Sequence, residues 1–203
     1  MRRFAAAVLR TQAATPPVLR LGNERLRMPS ASCDFDDPAL LQTERELHCA
    51  LEQFRVENGY GRAMSAPQID RHVRMIACNL GSDAVHRPGT QPFTLCNPVV
   101  LMRSAGTISL WDDCMSFPDL MVLVRRHQHI SLRYCDVHGQ PFEWHDLRVQ
   151  ESELLQHELD HLEGVLAVDR AAHPNTDIVR RDDYLARREH FDRQVDYVIV
   201  PTV

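Results

Sequence analysis

Lysine, long apolar segments and an excess of basic charge are all missing from this chain. Its 23 basic residues are all arginine, a bias that codon usage explains without any function. No apolar run approaches the roughly 20 residues of a membrane-spanning helix, so we expect no membrane association. The net charge is −5, whereas domains that bind nucleic acid gather basic residues to neutralise phosphates. We therefore expect no direct binding to nucleic acid.

The sequence also lacks a CxxC pair and an apolar secretory segment, although it has six cysteines, at positions 33, 49, 78, 96, 114 and 135. These features favour an intracellular, cytoplasmic chain whose thiols are reduced. A mitochondrial or other organellar location is the alternative. Arg2, Arg3, Arg10 and Arg20 precede the first acidic residue, Glu24, as in transit segments.

The residues that are present predict one domain of mixed α+β class. The length of 203 residues, with 44% apolar and 25% charged residues, is typical of a single globular domain. Asp37 and Pro38 resemble an N-cap and a first helical residue, and helical spacing of apolar residues continues from 38 to 57. Segments rich in β-branched residues predict strands at 73–79, 93–101, 107–111, 120–124, 129–137 and 141–145.

A second helix is predicted at 147–162, with Asp146 as its N-cap and Gly164 after its end. The tail, residues 175–203, has the pattern of a charged amphipathic helix followed by a short apolar strand. We expect the tail to pack on the domain or to cover a dimer contact.

The strongest chemical signal lies in the second helix, where residues 156–161 read QHELDH. His157 and His161, four residues apart, lie on one helical face and can present two imidazole nitrogens to one ion. Glu158 lies a quarter turn away, which suits a base that takes a proton from water. Two ligands do not hold a catalytic metal, so the sequence must supply a third.

Two candidates for the third ligand are open. Cys114 follows a predicted strand in the segment LWDDCMSFPDL, and its thiolate would leave a fourth position to water. In a zincin-type endopeptidase the third ligand would instead come from downstream, where Glu189 and His190 are candidates.

Three blocks of sequence resemble, in order and separation, the signature motifs of the peptide deformylase family. They are GRAMSAPQ at 61–68, DDCMS at 112–116 and QHELDHLEG at 156–164. The resemblance covers roughly residues 18–172 and implies an α+β fold in which antiparallel strands surround the HExxH helix. It divides the chain into an N-terminal extension, a catalytic domain and a C-terminal helix and strand that pack on it, at 1–17, 18–172 and 173–203.

The resemblance also assigns roles to residues at matching positions. It implies three metal ligands, which are Cys114, His157 and His161. Glu158 would act as general base and then as general acid. Gln68 and the backbone N–H of Met115 would face the developing oxyanion. The substrate side chain would lie against Arg62, Ala63, Met64, Glu153 and Leu154.

The same resemblance implies that the protein removes the formyl group from the N-terminal formyl-methionine of nascent polypeptides and releases formate. The family favours Fe²⁺, although one thiolate and two imidazoles also suit Zn²⁺ or Ni²⁺. The expected partners are N-formylmethionyl peptides, including nascent chains on the ribosome, and the chain is expected to be a monomer or a homodimer. The alternative functions are a deformylase-like enzyme of altered specificity and a non-catalytic metal-containing peptide binder.

Several positions depart from the family pattern. Ala63 replaces a glycine, which matters if a positive φ is needed there. Asp112 and Asp113 replace Glu and Gly; we expect Asp112 to accept hydrogen bonds from loop groups. The carboxylate of Asp113 should raise the pKa of the Cys114 thiol unless an arginine or the metal offsets it.

The most consequential departures concern the side-chain pocket. Arg62 and Glu153 occupy positions that are commonly apolar in the family, and Glu153 shares a helical face with His157. We hypothesise that Arg62 and Glu153 approach each other and form a charged wall that narrows or re-tunes the pocket. In the alternative, each side chain reaches solvent separately.

Overall fold

The structure, a computed structural model, describes residues 15–81, 86 and 92–199 of the chain. Most of the predicted N-terminal extension, and with it the transit-segment prediction, lies outside these residues. Within them the chain forms two antiparallel sheets and a set of helices, so the α+β prediction is confirmed. No helix in the described part of the chain is both long and apolar enough to cross a membrane.

The larger sheet has five strands in the order β1-β2-β3-β6-β7. These are Ala63–Ser65 (β1), Met75–Cys78 (β2), Phe93–Arg103 (β3), Ile130–Cys135 (β6) and Pro141–Trp144 (β7). The smaller sheet has the order β4-β5-β8, made by Thr107–Asp112, Leu120–His127 and Ile178–Arg180. All neighbouring strands in both sheets are antiparallel. Each of the six strands predicted between residues 73 and 145 is present, with shifts of a few residues at the ends.

The α-helices are Leu40–Asn58 (α1), Val149–Leu162 (α2), Pro174–Asp177 (α3), Arg181–Ala186 (α4) and Arg188–Asp192 (α5). Three short 3₁₀ helices lie at Glu24–Arg27, Ala66–Ile69 and Ala167–Arg170. α1 and α2 cover opposite faces of the larger sheet. α2 also contacts β5 of the smaller sheet, which makes it the central helix of the fold.

Burial on both sides explains the unbroken apolar sequence of β2. Ile76 and Cys78 pack in the core on the α2 side, whereas Met75 and Ala77 pack on the α1 side. Because successive residues of a strand point to opposite faces, a strand covered on both faces needs apolar side chains throughout. Helix α2, which carries the QHELDH motif, therefore packs on a sheet whose opposite face is covered by α1.

Both long helices start two residues later than the sequence predicts. Asp37 accepts hydrogen bonds from Ala39 and Leu40, which forms a turn before α1. Asp146 has φ of 48° and the N–H of Leu147 bonds to the carbonyl of Ile130, so the chain is still bound to β6 at this point. The predictions that Asp37 and Asp146 are the N-caps of α1 and α2 are both wrong, because Ala39 and Arg148 occupy these positions.

The predicted tail is only partly correct. Strand β8 precedes the helical part and pairs with β5, and the helix is interrupted at Arg187, where φ is −125° and ψ is 33°. Residues 197–199 form no strand, and 200–203 lie outside the described residues. The tail does pack on the domain, because Tyr184 and Phe191 cover Trp111 of β4. This packing places the tail beside the end of β4.

Candidate metal centre

One cysteine and two histidines from separate parts of the sequence meet at the end of β4. Cys114 follows that strand, and His157 and His161 extend from α2; their ligand atoms all lie within 4.8 Å of one another. The Sγ atom of Cys114 is 3.2 Å from Nε2 of His161. All three side chains are buried. A thiolate and two imidazoles at this spacing form a donor set for a divalent transition-metal ion.

His157 is oriented by a buried carboxylate. Its Nδ1 donates to Oδ2 of Asp112 at 2.9 Å, and Nη2 of Arg126 donates to the same oxygen at 3.0 Å. Burial raises the pKa of Asp112, but His157 and Arg126 outweigh burial and hold this pKa well below its usual range. The ionised carboxylate fixes the His157 tautomer, which leaves Nε2 for an ion. Asp112 thus accepts hydrogen bonds from side chains of α2 and β5, not from the loop groups that we expected.

Two atoms beside the ligands lack partners, although they are buried. Oε2 of Glu158 and Nδ1 of His161 have no hydrogen bond among the described residues. Burial raises the pKa of the Glu158 carboxyl, whereas burial and the neighbouring His157 lower the pKa of His161. Since buried polar groups are nearly always hydrogen-bonded, the free Glu158 oxygen indicates a position for water or substrate.

Gln68 is held rigidly beside Cys114. Its Oε1 accepts from the backbone N–H of Ser65 at 2.9 Å, and its Nε2 donates to Ser116 Oγ at 3.3 Å. The same Nε2 lies 3.8 Å from the Cys114 sulfur. Met115 is fixed by Arg20, which donates to the Met115 carbonyl at 2.7 Å. Both predicted oxyanion donors therefore adjoin the metal ligands.

A cavity of about 70 Å³ opens onto this site. Its lining contains most of the residues selected from the sequence, namely Arg62, Ala63, Gln68, Cys114, Met115, Glu153, Leu154, His157 and Glu158. Ala63 lies in β1 without a positive φ, so its methyl group causes no backbone strain.

The predicted contact between Arg62 and Glu153 is present. Nη2 of Arg62 donates to Oε1 of Glu153 at 2.5 Å, and the two side chains are only 12% and 2% exposed. Burial raises the pKa of the Glu153 carboxyl to about 7, although Arg62 lowers it. The cavity thus has the charged wall that the sequence analysis predicts.

Met64 does not line the cavity. Successive residues of β1 point to opposite faces, and the fully buried Met64 packs in the core beside α1. The structure corrects its predicted role as a substrate contact.

Three cavity residues were not selected from the sequence: Tyr60, Arg181 and Ile199. Arg181 donates to Asp113 at 2.9 Å, and its guanidinium carbon lies 4.3 Å from the centre of the Tyr60 ring. This arginine is the one needed to offset the extra carboxylate of Asp113. The only signal for it in the sequence was that unpaired acid beside the cysteine.

The downstream candidates for the third metal ligand are not part of this cluster. Glu189 and His190 lie on α5, exposed to solvent, and bond to Arg193 and Gln194 respectively. The cluster of possible ligands found among the described residues contains Cys114 instead. This arrangement argues against the zincin interpretation.

Comparison with known families agrees with this geometry. The family model for polypeptide deformylase matches residues 15–177. The chain belongs to this family. The match includes all three motif blocks and ends before Arg181 and Ile199, so these two cavity residues come from a segment beyond it.

Individual deformylases show the same relationship. The chain is 32% identical over 163 residues to peptide deformylase of Thermomicrobium roseum, covering 77% of this chain and 86% of the relative. It is 29% identical over 171 residues to peptide deformylase 2 of a Nostoc species, covering 83% and 92%. The Acinetobacter baumannii deformylase with Met-Ala-Ser bound has a TM-score of 0.64 at 25% identity, covering 76% and 96%. The predicted deformylase-like fold is confirmed.

Proposed function

We propose that the chain is a metal-dependent deformylase in which Cys114, His157 and His161 hold the ion. It removes the formyl group from N-terminal formyl-methionine and releases formate. The observation that carries the proposal is the convergence of these three buried donors beside Glu158, whose Oε2 has no hydrogen bond within the described part of the chain. Family membership supports the same reaction.

The residues fit a single divalent ion. His161 is kept neutral by burial, which lowers its pKa, and His157 donates its other nitrogen to Asp112. A metal-binding imidazole usually donates its other ring N–H to a carboxylate in this way, which fixes the orientation of the ring. When bound, such an ion supplies Lewis acidity and lowers the pKa of water in its open position.

Glu158 is the proton carrier of the proposed mechanism. Its carboxylate takes a proton from the attacking water and later delivers one to the departing amine. Burial raises the pKa of this carboxyl, which makes it a stronger base than an exposed glutamate. Formate and the free N-terminal amine are the products.

Gln68 and the backbone N–H of Met115 stabilise the negative charge that develops on the formyl oxygen. The Gln68 amide needs no reorganisation during the reaction, because Ser65 and Ser116 already hold both of its ends. Loss of one such donor typically costs about 10²–10³-fold in rate.

For the ion itself we propose Fe²⁺ in the cell, with Zn²⁺ or Ni²⁺ able to occupy the same donors. We propose nascent formyl-methionyl chains as substrates, met in the cytoplasm or in an organelle that makes formylated proteins. Oxygen sensitivity separates the metals: activity of the iron-loaded protein should decay in air, whereas that of the nickel-loaded protein should persist.

The decisive experiment is formate release from formyl-Met-Ala-Ser by protein loaded anaerobically with Fe²⁺. Rapid release that is lost in Glu158→Ala, while the variant still binds one ion, would support the mechanism. A non-catalytic peptide binder is the second candidate, since Arg62 and Glu153 alter the pocket. No release from protein that contains one ion and binds formyl peptides would favour that candidate.

A further inference from the structure

The wall formed by Arg62 and Glu153 is rigid as well as charged. In addition to the ion pair, Nη1 of Arg62 donates to the carbonyl of Gln150 at 2.8 Å. Gln150 and Glu153 both belong to α2, so Arg62 is tied to the helix that carries two metal ligands. A substrate side chain therefore meets fixed charges, not a flexible arginine that moves aside.

The C-terminal segment also contributes residues to the cavity lining. Arg181 donates to Asp113 and lies over the Tyr60 ring, and both Arg181 and Ile199 line the cavity. Asp196 anchors this segment, because its Oδ2 accepts the backbone N–H of Ser109 at 2.9 Å and the hydroxyl at 2.7 Å. The lining of the cavity thus includes the charged side chains of Arg62, Glu153 and Arg181.

The enclosed space is small for a long side chain. The volume of about 70 Å³ lies far below the roughly 300–1,000 Å³ of typical ligand sites. It must also receive the formyl group beside Cys114 and Glu158. What remains is bordered by a buried ion pair that is already hydrogen-bonded, so an apolar chain gains little contact there.

We propose that Arg62 and Glu153 are specificity-determining residues that remove the preference for a methionine side chain. The enzyme then recognises the formyl group and the peptide backbone, and it accepts N-formyl peptides with a short first side chain about as well as formyl-Met peptides. The proposal rests on the proposed deformylase function. In an apolar pocket, a difference of one methylene group normally gives roughly 10- to 200-fold discrimination, and the Arg62 and Glu153 wall removes that apolar contact.

The test compares kcat/KM for formyl-Met-Ala-Ser and formyl-Ala-Ala-Ser. The wild-type ratio is expected within about threefold of unity. In the double variant Arg62→Leu/Glu153→Leu the ratio should rise at least tenfold in favour of methionine. Both residues are replaced together because one alone would leave a buried charge without its partner. A second pair, Arg62→Met/Glu153→Gln, removes the charges with less change in volume and guards against misfolding of the first.

The matched control replaces an ion pair on another face of the protein. Arg74 and Glu163 are 2.6 Å apart and line a different surface cavity, so Arg74→Leu/Glu163→Leu should leave the substrate ratio unchanged. A wild-type ratio above about tenfold, or an unchanged ratio in both pocket variants, would overturn the proposal.

Binding of the product peptides separates this proposal from the proposed function. Calorimetric Kd values for Met-Ala-Ser and Ala-Ala-Ser should agree within about threefold in the wild type and diverge in the double variant. Divergence already in the wild type overturns the assignment of the pocket, whatever the activity. Equal Kd values with no formate release from either substrate would support the pocket assignment and overturn the deformylase function.

Discussion

The Nδ1 atom of His157 lies 2.9 Å from Oδ2 of Asp112, a residue that departs from the family pattern by one methylene. The shorter side chain still reaches the histidine and still binds Arg126 at 3.0 Å. Arg126 also bonds to Asp160 of α2. Asp112 and Arg126 therefore connect the cysteine segment to the motif helix.

This contact predicts that Asp112→Asn weakens metal retention about 10- to 100-fold, because the amide cannot enforce the tautomer of His157. Competition with a chelator measures the loss. Asp113→Asn is the matched control, since Asp113 pairs with Arg181 and not with a ligand. Equal metal affinity in the wild type and in Asp112→Asn would contradict the proposed role of Asp112.

A second prediction concerns the identity of the third ligand. Cys114→Ala should abolish binding of one equivalent of metal, because only two imidazoles then remain. His190→Ala should retain full binding, since this residue is exposed on α5. Metal analysis after gel filtration gives the answer. Retention by Cys114→Ala with loss in His190→Ala would restore the zincin interpretation.

The pH dependence of kcat/KM should have its acid limb above the ordinary glutamate pKa of about 4.3. Glu158 must be ionised to accept a proton, and burial raises its pKa, so activity is lost as the pH falls through this raised value. The Ser65 hydroxyl lowers the same pKa. Ser65→Ala should therefore move the acid limb to still higher pH. A limb that stays in place would contradict the contribution of Ser65.

The stability of Arg62→Leu should depend on pH. The variant leaves Glu153 buried without its partner, which costs about 3–5 kcal/mol where the carboxyl is ionised. With Arg62 present the Glu153 pKa is about 7, and without it the pKa rises further. A raised carboxyl pKa means that the folded state loses stability as the pH increases, so the deficit should be larger at pH 8 than at pH 6.

Urea denaturation at both pH values measures this deficit. Adding Glu153→Leu should recover most of the lost stability and remove the extra pH dependence, because no buried charge remains. A deficit of equal size at pH 6 and pH 8 would show that Glu153 does not titrate in this range.

The sequence was most informative where chemistry is encoded locally. QHELDH gives two ligands and a base by helical periodicity alone. The family resemblance selected Cys114 from the two candidates for the third ligand, and it added Gln68. Met64 was misplaced because β1 is only three residues long and carries no periodic pattern. The face of the sheet to which each β1 side chain points is set by pairing with β2, in which Met64 is the register partner of Ala77.

The C-terminal contribution was unpredictable for a different reason. Arg181 reaches the cavity because β8 pairs with β5, and this pairing involves residues more than 50 positions apart. The secondary-structure propensity of the local sequence does not encode such a long-range contact. Only the uncompensated charge of Asp113 indicated that a cation was needed.

The three donors of the site belong to different parts of the framework. Cys114 follows β4 of the smaller sheet, whereas the histidines lie on the helix that covers the larger sheet. An ion held between them joins the two sheets as a cross-link does. Its binding energy then counts toward folding, about 2.7 kcal/mol at a free concentration of 100 times Kd. The melting temperature of the protein should therefore rise with the fraction of molecules that hold a metal ion.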